Sequence, residues 1–170
     1  MKEDLKVKGF EWTLEIREAN GDLAHAETQF NLIPTQGMGF LVRSPFGDAA
    51  SISTFYLGLF RGNYIPTPAT TALDIPANMN EFIDYSEAQR PLWDRSFDNV
   101  SSMDNSLSKA AFTVTQDRTI YGAFLVSDAA KGGNSGLVLS CVRFASPKQV
   151  SVGQTINLSG GLTYVSTNVI

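Results

Sequence analysis

The sequence predicts a mainly β protein, an antiparallel two-sheet sandwich of jelly-roll or Greek-key type, and three features carry that expectation. Apolar and polar residues alternate at a period of two in several segments. Gly, Pro, Asn and Ser break the chain between those segments at short intervals. One stretch is apolar on both faces, as a central strand between two layers must be. About nine short strands, with one short helix near residues 35–43, bury their faces most economically in two stacked layers.

In chain order, Phe10, Trp12, Leu14 and Ile16 alternate with Glu11, Thr13, Glu15 and Arg17, which places four apolar side chains on one strand face. Asn20-Gly21 suits both centres of a type I′ turn. Ala24, Ala26, Thr28, Phe30 and Leu32 then alternate with His25, Glu27, Gln29 and Asn31, so the two segments are predicted to form a hairpin whose second strand turns a polar stripe to solvent. Thr35 is placed to cap a helix containing Met38, Leu41 and Val42, weakened by Gly37 and Gly39.

Residues 53–60 form the segment apolar on both faces and are predicted to be among the most buried. Pro66, Pro68 and Pro76 forbid a long ladder between Tyr64 and Asn80, so that stretch reads as an ordered excursion with one helical turn near Thr71. Short strands are expected over 81–85 and 89–94, and a second hairpin from 111–115 and 119–126. A small-residue loop over 127–136, a strand over 137–144, a break at Pro147 and a strand over 155–164 with Ile156, Leu158, Leu162 and Tyr164 on one face complete the chain. The reading is one domain over residues 9–170, preceded by a flexible arm over 1–8.

Composition narrows the function. At a net charge of −4, with no basic cluster beyond the sparse Lys2, Lys6 and Lys8, the chain lacks the electrostatics of a groove that tracks phosphates, so nucleic acid is not expected as a partner. The sequence holds no apolar run of membrane-spanning length and its first residues lack the apolar core of a secretory signal, so a soluble protein made in the cytosol, with no membrane partner, is expected. Cys141 is the only cysteine, which rules out an intrachain disulfide; flanked by Leu139 and Val142, it reads as a small buried hydrophobe. Charged residues make up 18 %, below the usual quarter or so, which leaves surface for contact.

Two motifs invite chemistry. Gly133-Asn134-Ser135-Gly136 resembles the nucleophile loop of chymotrypsin-like serine proteases, without that family's second glycine after the serine, and His25 with Asp74 or Asp48 would complete a triad in the same chain order. His25, however, falls on a strand only a few residues after the first turn, and Gly, Asn and Ser are what a hairpin loop requires for backbone reasons alone. His25 and Glu27 share one strand face, but no second histidine exists to complete a zinc set. Glu87, Asp94, Asp98 and Asp104 show no spacing that pairs an acid with a base. The chain is therefore read as non-enzymatic, with no cofactor and no metal. Its aromatic residues, eleven Phe, five Tyr and two Trp, supply both core and candidate interface anchors.

The segments Glu27-Thr-Gln-Phe-Asn-Leu-Ile-Pro-Thr-Gln-Gly-Met38, Thr54-Phe-Tyr-Leu-Gly-Leu-Phe60, Tyr64-Ile-Pro-Thr67, Arg90-Pro-Leu-Trp93 and Ile120-Tyr-Gly-Ala-Phe-Leu125 together resemble a group of small virion-associated proteins of tailed bacteriophages and prophages. The resemblance runs from about Phe10 to about Leu162 and rests on core and turn residues. It implies a virion component made in the host bacterial cytoplasm, preferably a capsid decoration or cement protein bound to the major capsid protein or other virion proteins. The alternative it implies is a tail or fibre component; the chain lacks the heptads of a fibre shaft. A dimer or trimer is expected, because closed oligomers cover sheet edges. Candidate contact residues are Lys2, Leu5 and Val7 in the arm, Phe46, and Tyr64, Ile65, Pro66, Pro68, Leu73 and Ile75 in the excursion. Remoter alternatives are a serine hydrolase using Ser135 and a carbohydrate-binding tail module, which would need an open aromatic platform.

Overall fold

The computed structural model describes the backbone of residues 2–169 and the side chains of residues 9–165. Two antiparallel sheets face each other. Sheet A contains β1 (Lys2–Arg17), β2 (Leu23–Asn31), β5 (Ser96–Phe97), β6 (Ser102–Asp104), β7 (Ala110–Thr113) and β10 (Thr155–Val169), in the order β2-β1-β10-β6-β5 with β7 also on β10. Sheet B contains β3 (Tyr56–Phe60), β4 (Glu81–Phe82), β8 (Arg118–Val126) and β9 (Val138–Val150), in the order β4-β3-β8-β9. The helix α1 (Thr35–Arg43) matches the predicted span and leads into a single 3-10 turn over Ser44–Phe46.

Alternation in β1 and β10 builds the space between the sheets. Phe10, Trp12, Leu14 and Ile16 meet Leu57, Leu59, Ala123, Leu125 and Val142 from sheet B in one buried cluster, which Ile156 and Leu158 of β10 extend. Both tryptophans bury their rings and satisfy their N–H groups: Trp12 Nε1 donates to Ser140 Oγ at 3.1 Å and Trp93 Nε1 to the Gly160 carbonyl at 2.8 Å. A second cluster lies on the far side of sheet B, where Phe60, Phe124, Val126, Val138 and Cys141 are covered by Ala72, Ile75 and Met79. The apolar character of both faces of residues 53–60 thus has a cause: the proline-rich excursion forms a third layer over sheet B.

Two glycines make that outer face close-packed. Gly58 stands opposite Phe124 and Gly122 opposite Phe60, so each phenyl ring lies over the glycine across the ladder. A Cβ on Gly58 would fall 2.2 Å from the Phe124 ring, and one on Gly122 would fall 2.2 Å from the Phe60 ring.

Several expectations are corrected. The first hairpin closes through Glu18–Asp22, with the Gly21 N–H bonded to the Glu18 carbonyl and Gly21 alone at positive φ, so the type I′ turn is replaced by a longer one. The polar face of β2 points inward: His25, Glu27, Gln29 and Asn31 are half-buried while Ala24, Ala26, Thr28 and Phe30 are exposed. They are drawn in by polar partners on β9, Lys148 for Glu27 at 2.7 Å and Ser140 for Asn31 at 2.9 Å. Pro34, and not Thr35, precedes α1, with no side-chain cap. The excursion's helical turn is a π turn over Ile75–Met79, slightly later than expected.

Residues 89–94 form no strand. Pro91 lacks a donor, and the segment instead hugs the start of β3 through Leu57 N–H to Pro91 O at 2.8 Å and Trp93 N–H to Phe55 O at 2.8 Å. β7 and β8 do not make a hairpin, since β7 pairs with β10 in sheet A and β8 with β3 and β9 in sheet B. Pro147 does not end its strand; it sits in a bulge where residues 144–147 of β9 oppose only Tyr121. Finally, residues 2–8 are no separate arm, for they continue β1 and pair with the end of β10. Met1 lies outside the described residues.

Candidate interaction surface

The first and last strands run past the sandwich together. β1 pairs with β10 from Lys2↔Val169 to Arg17↔Thr155, whereas β2 flanks β1 only from Phe10 onward and β6 flanks β10 only over Gly161–Thr163. β2 cannot follow further, because after Asn31 the chain crosses toward sheet B, where Leu32 bridges to Cys141. Beyond these limits no other strand pairs with the ribbon among the described residues. At about 3.3 Å per residue, residues 2–8 extend it by roughly 20 Å. On the β10 side the Tyr164 N–H still bonds to the Ser101 carbonyl at 3.1 Å; past that residue neither edge pairs with another described strand, and a strand edge of this kind is the means by which one chain adds a strand to another.

A bulge marks where the ribbon leaves the body. The register shifts between Val7 and Gly9, and Gly9 adopts φ +106°, a conformation that a residue with a Cβ adopts at a cost. Such a bulge raises local twist and turns the ribbon relative to the sheet below.

At the ribbon's root an apolar cleft of about 330 Å³ opens between α1 and the β5–β6 hairpin. Buried Trp93, Leu139 and Leu162 form its depth, while Phe97 and Met103, 53 % and 38 % exposed, stand at its mouth. Tyr164 lines the cleft and continues into the ribbon. Sequence reasoning missed this feature, since β5 and β6 are too short to read as strands.

The predicted contact residues divide. Phe46, Ile65 and Leu73 are 85 %, 68 % and 65 % exposed, Pro68 is exposed, and Tyr64 and Pro66 are half-buried. Ile75 is corrected: it is wholly buried in the cluster between the excursion and sheet B and is closed to a partner. Lys2, Leu5 and Val7 fall on the ribbon, and their side chains lie outside the described residues.

The residues of the protease-like motif are engaged elsewhere. Ser135 Oγ donates to Asp128 Oδ2 at 2.7 Å, His25 Nε2 lies 3.3 Å from Glu27 Oε2, Asp74 accepts from the Thr71 N–H, and Asp48 pairs with Arg43. No hydrogen bond joins His25 to Ser135 among the described residues. Instead the Ser127–Gly136 loop is held by a buried ion pair. Arg90, fully buried, makes two 2.8 Å bonds to Glu81 and donates to the carbonyls of Asp128 and Gly133; Glu81 in turn accepts from the Gly132 N–H. Burial works against ionisation of Asp128, but the Ser135 hydroxyl, the Ala130 N–H and the Arg90 charge outweigh it and hold its carboxyl below the usual range. Among the described residues no group of three or more His, Cys, Asp or Glu side chains is placed to hold a metal. Burial pushes the Cys141 thiol well above its ordinary value, which leaves it unreactive where it sits.

The fold and surface define a class, a two-sheet β-sandwich that projects its paired terminal strands as an open-edged ribbon. No known family model matches the chain, and no curated protein matches it either.

Proposed function

We propose that this protein is a structural component of a bacteriophage particle that docks by its terminal ribbon, in the manner of a capsid decoration or cement protein. The supporting observation is the β1–β10 ribbon, which past Gly9 on one strand and Tyr164 on the other pairs with no further described strand. Strand addition along such edges supplies backbone hydrogen bonds in register with any sheet edge on a neighbouring subunit. The cleft at its root, lined by Phe97, Met103 and Tyr164, gives that contact an apolar anchor. The virion assignment itself is supported by the resemblance of the segments from Glu27 to Leu125 to small phage virion proteins. Repeated over a lattice, many such contacts add, and the shell becomes harder to open. Pairing of ribbon edges between copies supports a dimer or trimer, with the major capsid protein or another virion protein as the second partner.

The test is occupancy on purified particles. Deletion of residues 1–8 removes one strand of the ribbon while leaving the core residues from Phe10 onward in place. Particles assembled with the truncated chain should lose most of this protein by quantitative mass spectrometry. Occupancy equal to wild type, from a variant with unchanged melting temperature, would reject docking through the ribbon.

A further inference from the structure

The β5–β6 hairpin ends in a turn that its own carboxylate holds. Asp98 Oδ1 accepts from the N–H groups of Val100, Ser101 and Ser102 at 2.8, 2.8 and 2.9 Å, and the Asp98 N–H bonds to the Ser102 carbonyl at 3.0 Å. Asn99 takes φ +64°, a conformation that asparagine adopts more readily than most residues. The Tyr164 N–H, on the Ser101 carbonyl at 3.1 Å, ties the same turn to β10. This stiff tip carries Val100, 81 % exposed. An apolar side chain held out on an ordered turn has little conformational freedom left to lose in a contact.

The tip adjoins the apolar cleft. Ser101, Ser102 and Met103, the three residues after Val100, line it together with Phe97, so a knob and a hole lie side by side on one hairpin. A surface of that form is complementary to itself about a two-fold axis between knob and hole.

We propose that a second copy of this chain fills the cleft, each protomer inserting the Val100 tip of its β5–β6 hairpin into the other's. The inference deepens the proposed docking by naming what occupies the cleft, and it rests on that reading only for the cleft's role as an apolar anchor. Val100 enters between Phe97 and Met103 and meets the buried Trp93, Leu139 and Leu162 below them. Charge agrees with this arrangement. Arg95 lines the cleft, its guanidinium 5.1 Å from the Trp93 ring centroid and one N–H on the Ser53 carbonyl at 3.0 Å. Asp98, two residues before Val100, brings its carboxylate to the second copy's Arg95 and has Oδ2 to offer, since the N–H groups of the turn take Oδ1. One hairpin and one cleft make a small interface, so the dimer is reversible and of micromolar affinity.

The experiment is sedimentation velocity of the full-length protein from about 1 to about 500 µM, a span that brackets such an affinity. The wild type should pass reversibly from monomer to dimer. Val100→Lys should raise the dissociation constant at least tenfold with an unchanged melting temperature, because the new cation meets Arg95 in an apolar cleft. The same change moves the net charge of −4 toward zero, which by itself favours association, so a weaker dimer reports on the contact. Deletion of residues 1–8 should leave the dimer in place, which separates this contact from docking of the ribbon on particles. A wild type that stays monomeric throughout would overturn the proposal and leave the cleft to another partner. A trimer would overturn it too, since a two-fold contact closes at two copies. Val100→Lys dimerising as tightly as wild type would also overturn it; if the deletion then abolished association, the copies pair through the ribbon instead.

Discussion

Arg90 spends its whole guanidinium inside the protein. It reaches Glu81, two carbonyls of the Ser127–Gly136 loop and the face of Phe124, 5.3 Å from its guanidinium, with no exposure to water. Removing its carboxylate by Glu81→Ala leaves the buried charge with only the more distant Asp128 carboxylate, 3.8 Å away, so a loss of about 3 kcal/mol in denaturant unfolding is expected. A loss below about 1 kcal/mol would show that Arg90 does not depend on Glu81. Other residues set the response to pH. The Lys109 hydrogen bond holds Glu15 below the usual carboxylate range, backbone N–H groups of Ser102, Val100 and Ser101 do so for Asp98, and Asp128 is likewise lowered. On acidification the unfolded chain binds protons before these folded carboxylates do, so their stabilisation is complete above the ordinary carboxylate values and is lost as pH falls through the folded ones. Burial raises the phenols of Tyr64, Tyr85 and Tyr164, so stability also falls as pH climbs past their ordinary value of 10.0, where only the unfolded chain ionises freely. Denaturant midpoints against pH should therefore form a plateau with two falling limbs; midpoints that keep rising below the carboxylate range would contradict this.

At the scale of elements, glycines with different surroundings should respond in opposite ways. A Cβ on Gly122 would meet the Val142 carbonyl at 2.1 Å as well as the Phe60 ring, whereas one on Gly39, inside α1, would meet nothing within 4 Å. Gly122→Ala should destabilise by about 3 kcal/mol through overpacking, and Gly39→Ala should stabilise by roughly 0.5–1 kcal/mol through helix propensity. Equal effects in thermal melts would refute the ring-over-glycine packing of β3 and β8. The strand alternation of β1 and β10 was legible because their inward residues are large and apolar. That of β2 was not: its small Ala and Thr residues carry little burial energy, so polar partners on β9 decide which face turns in. The 89–94 segment misleads for a related reason, since Leu92 and Trp93 read as strand residues while Pro91 removes a donor from the ladder.

Across the whole molecule, both termini meet in one ribbon, and this unites the two ends of the sequence in a single surface. The proline-rich excursion, expected to be a contact loop, instead spends Ile75 and Met79 on a third layer and keeps Ile65 and Leu73 outside. The amino-acid sequence by itself determined the β class, the one helix, the inward face of β1 and, of the expected buried segment 53–60, the burial of Phe55 and Leu57–Phe60 though not of exposed Ser53 and Thr54, because period-two burial and turn residues are local properties of the chain. Tertiary structure alone decided which strands share a sheet, that β7 and β8 part company, that residues 2–8 find the C-terminal strand, and that Glu11, Gly161 and Asp104 align in one row. Those outcomes depend chiefly on pairing between strands distant in sequence, where register is fixed by the packing of the whole core and no short window of sequence records it.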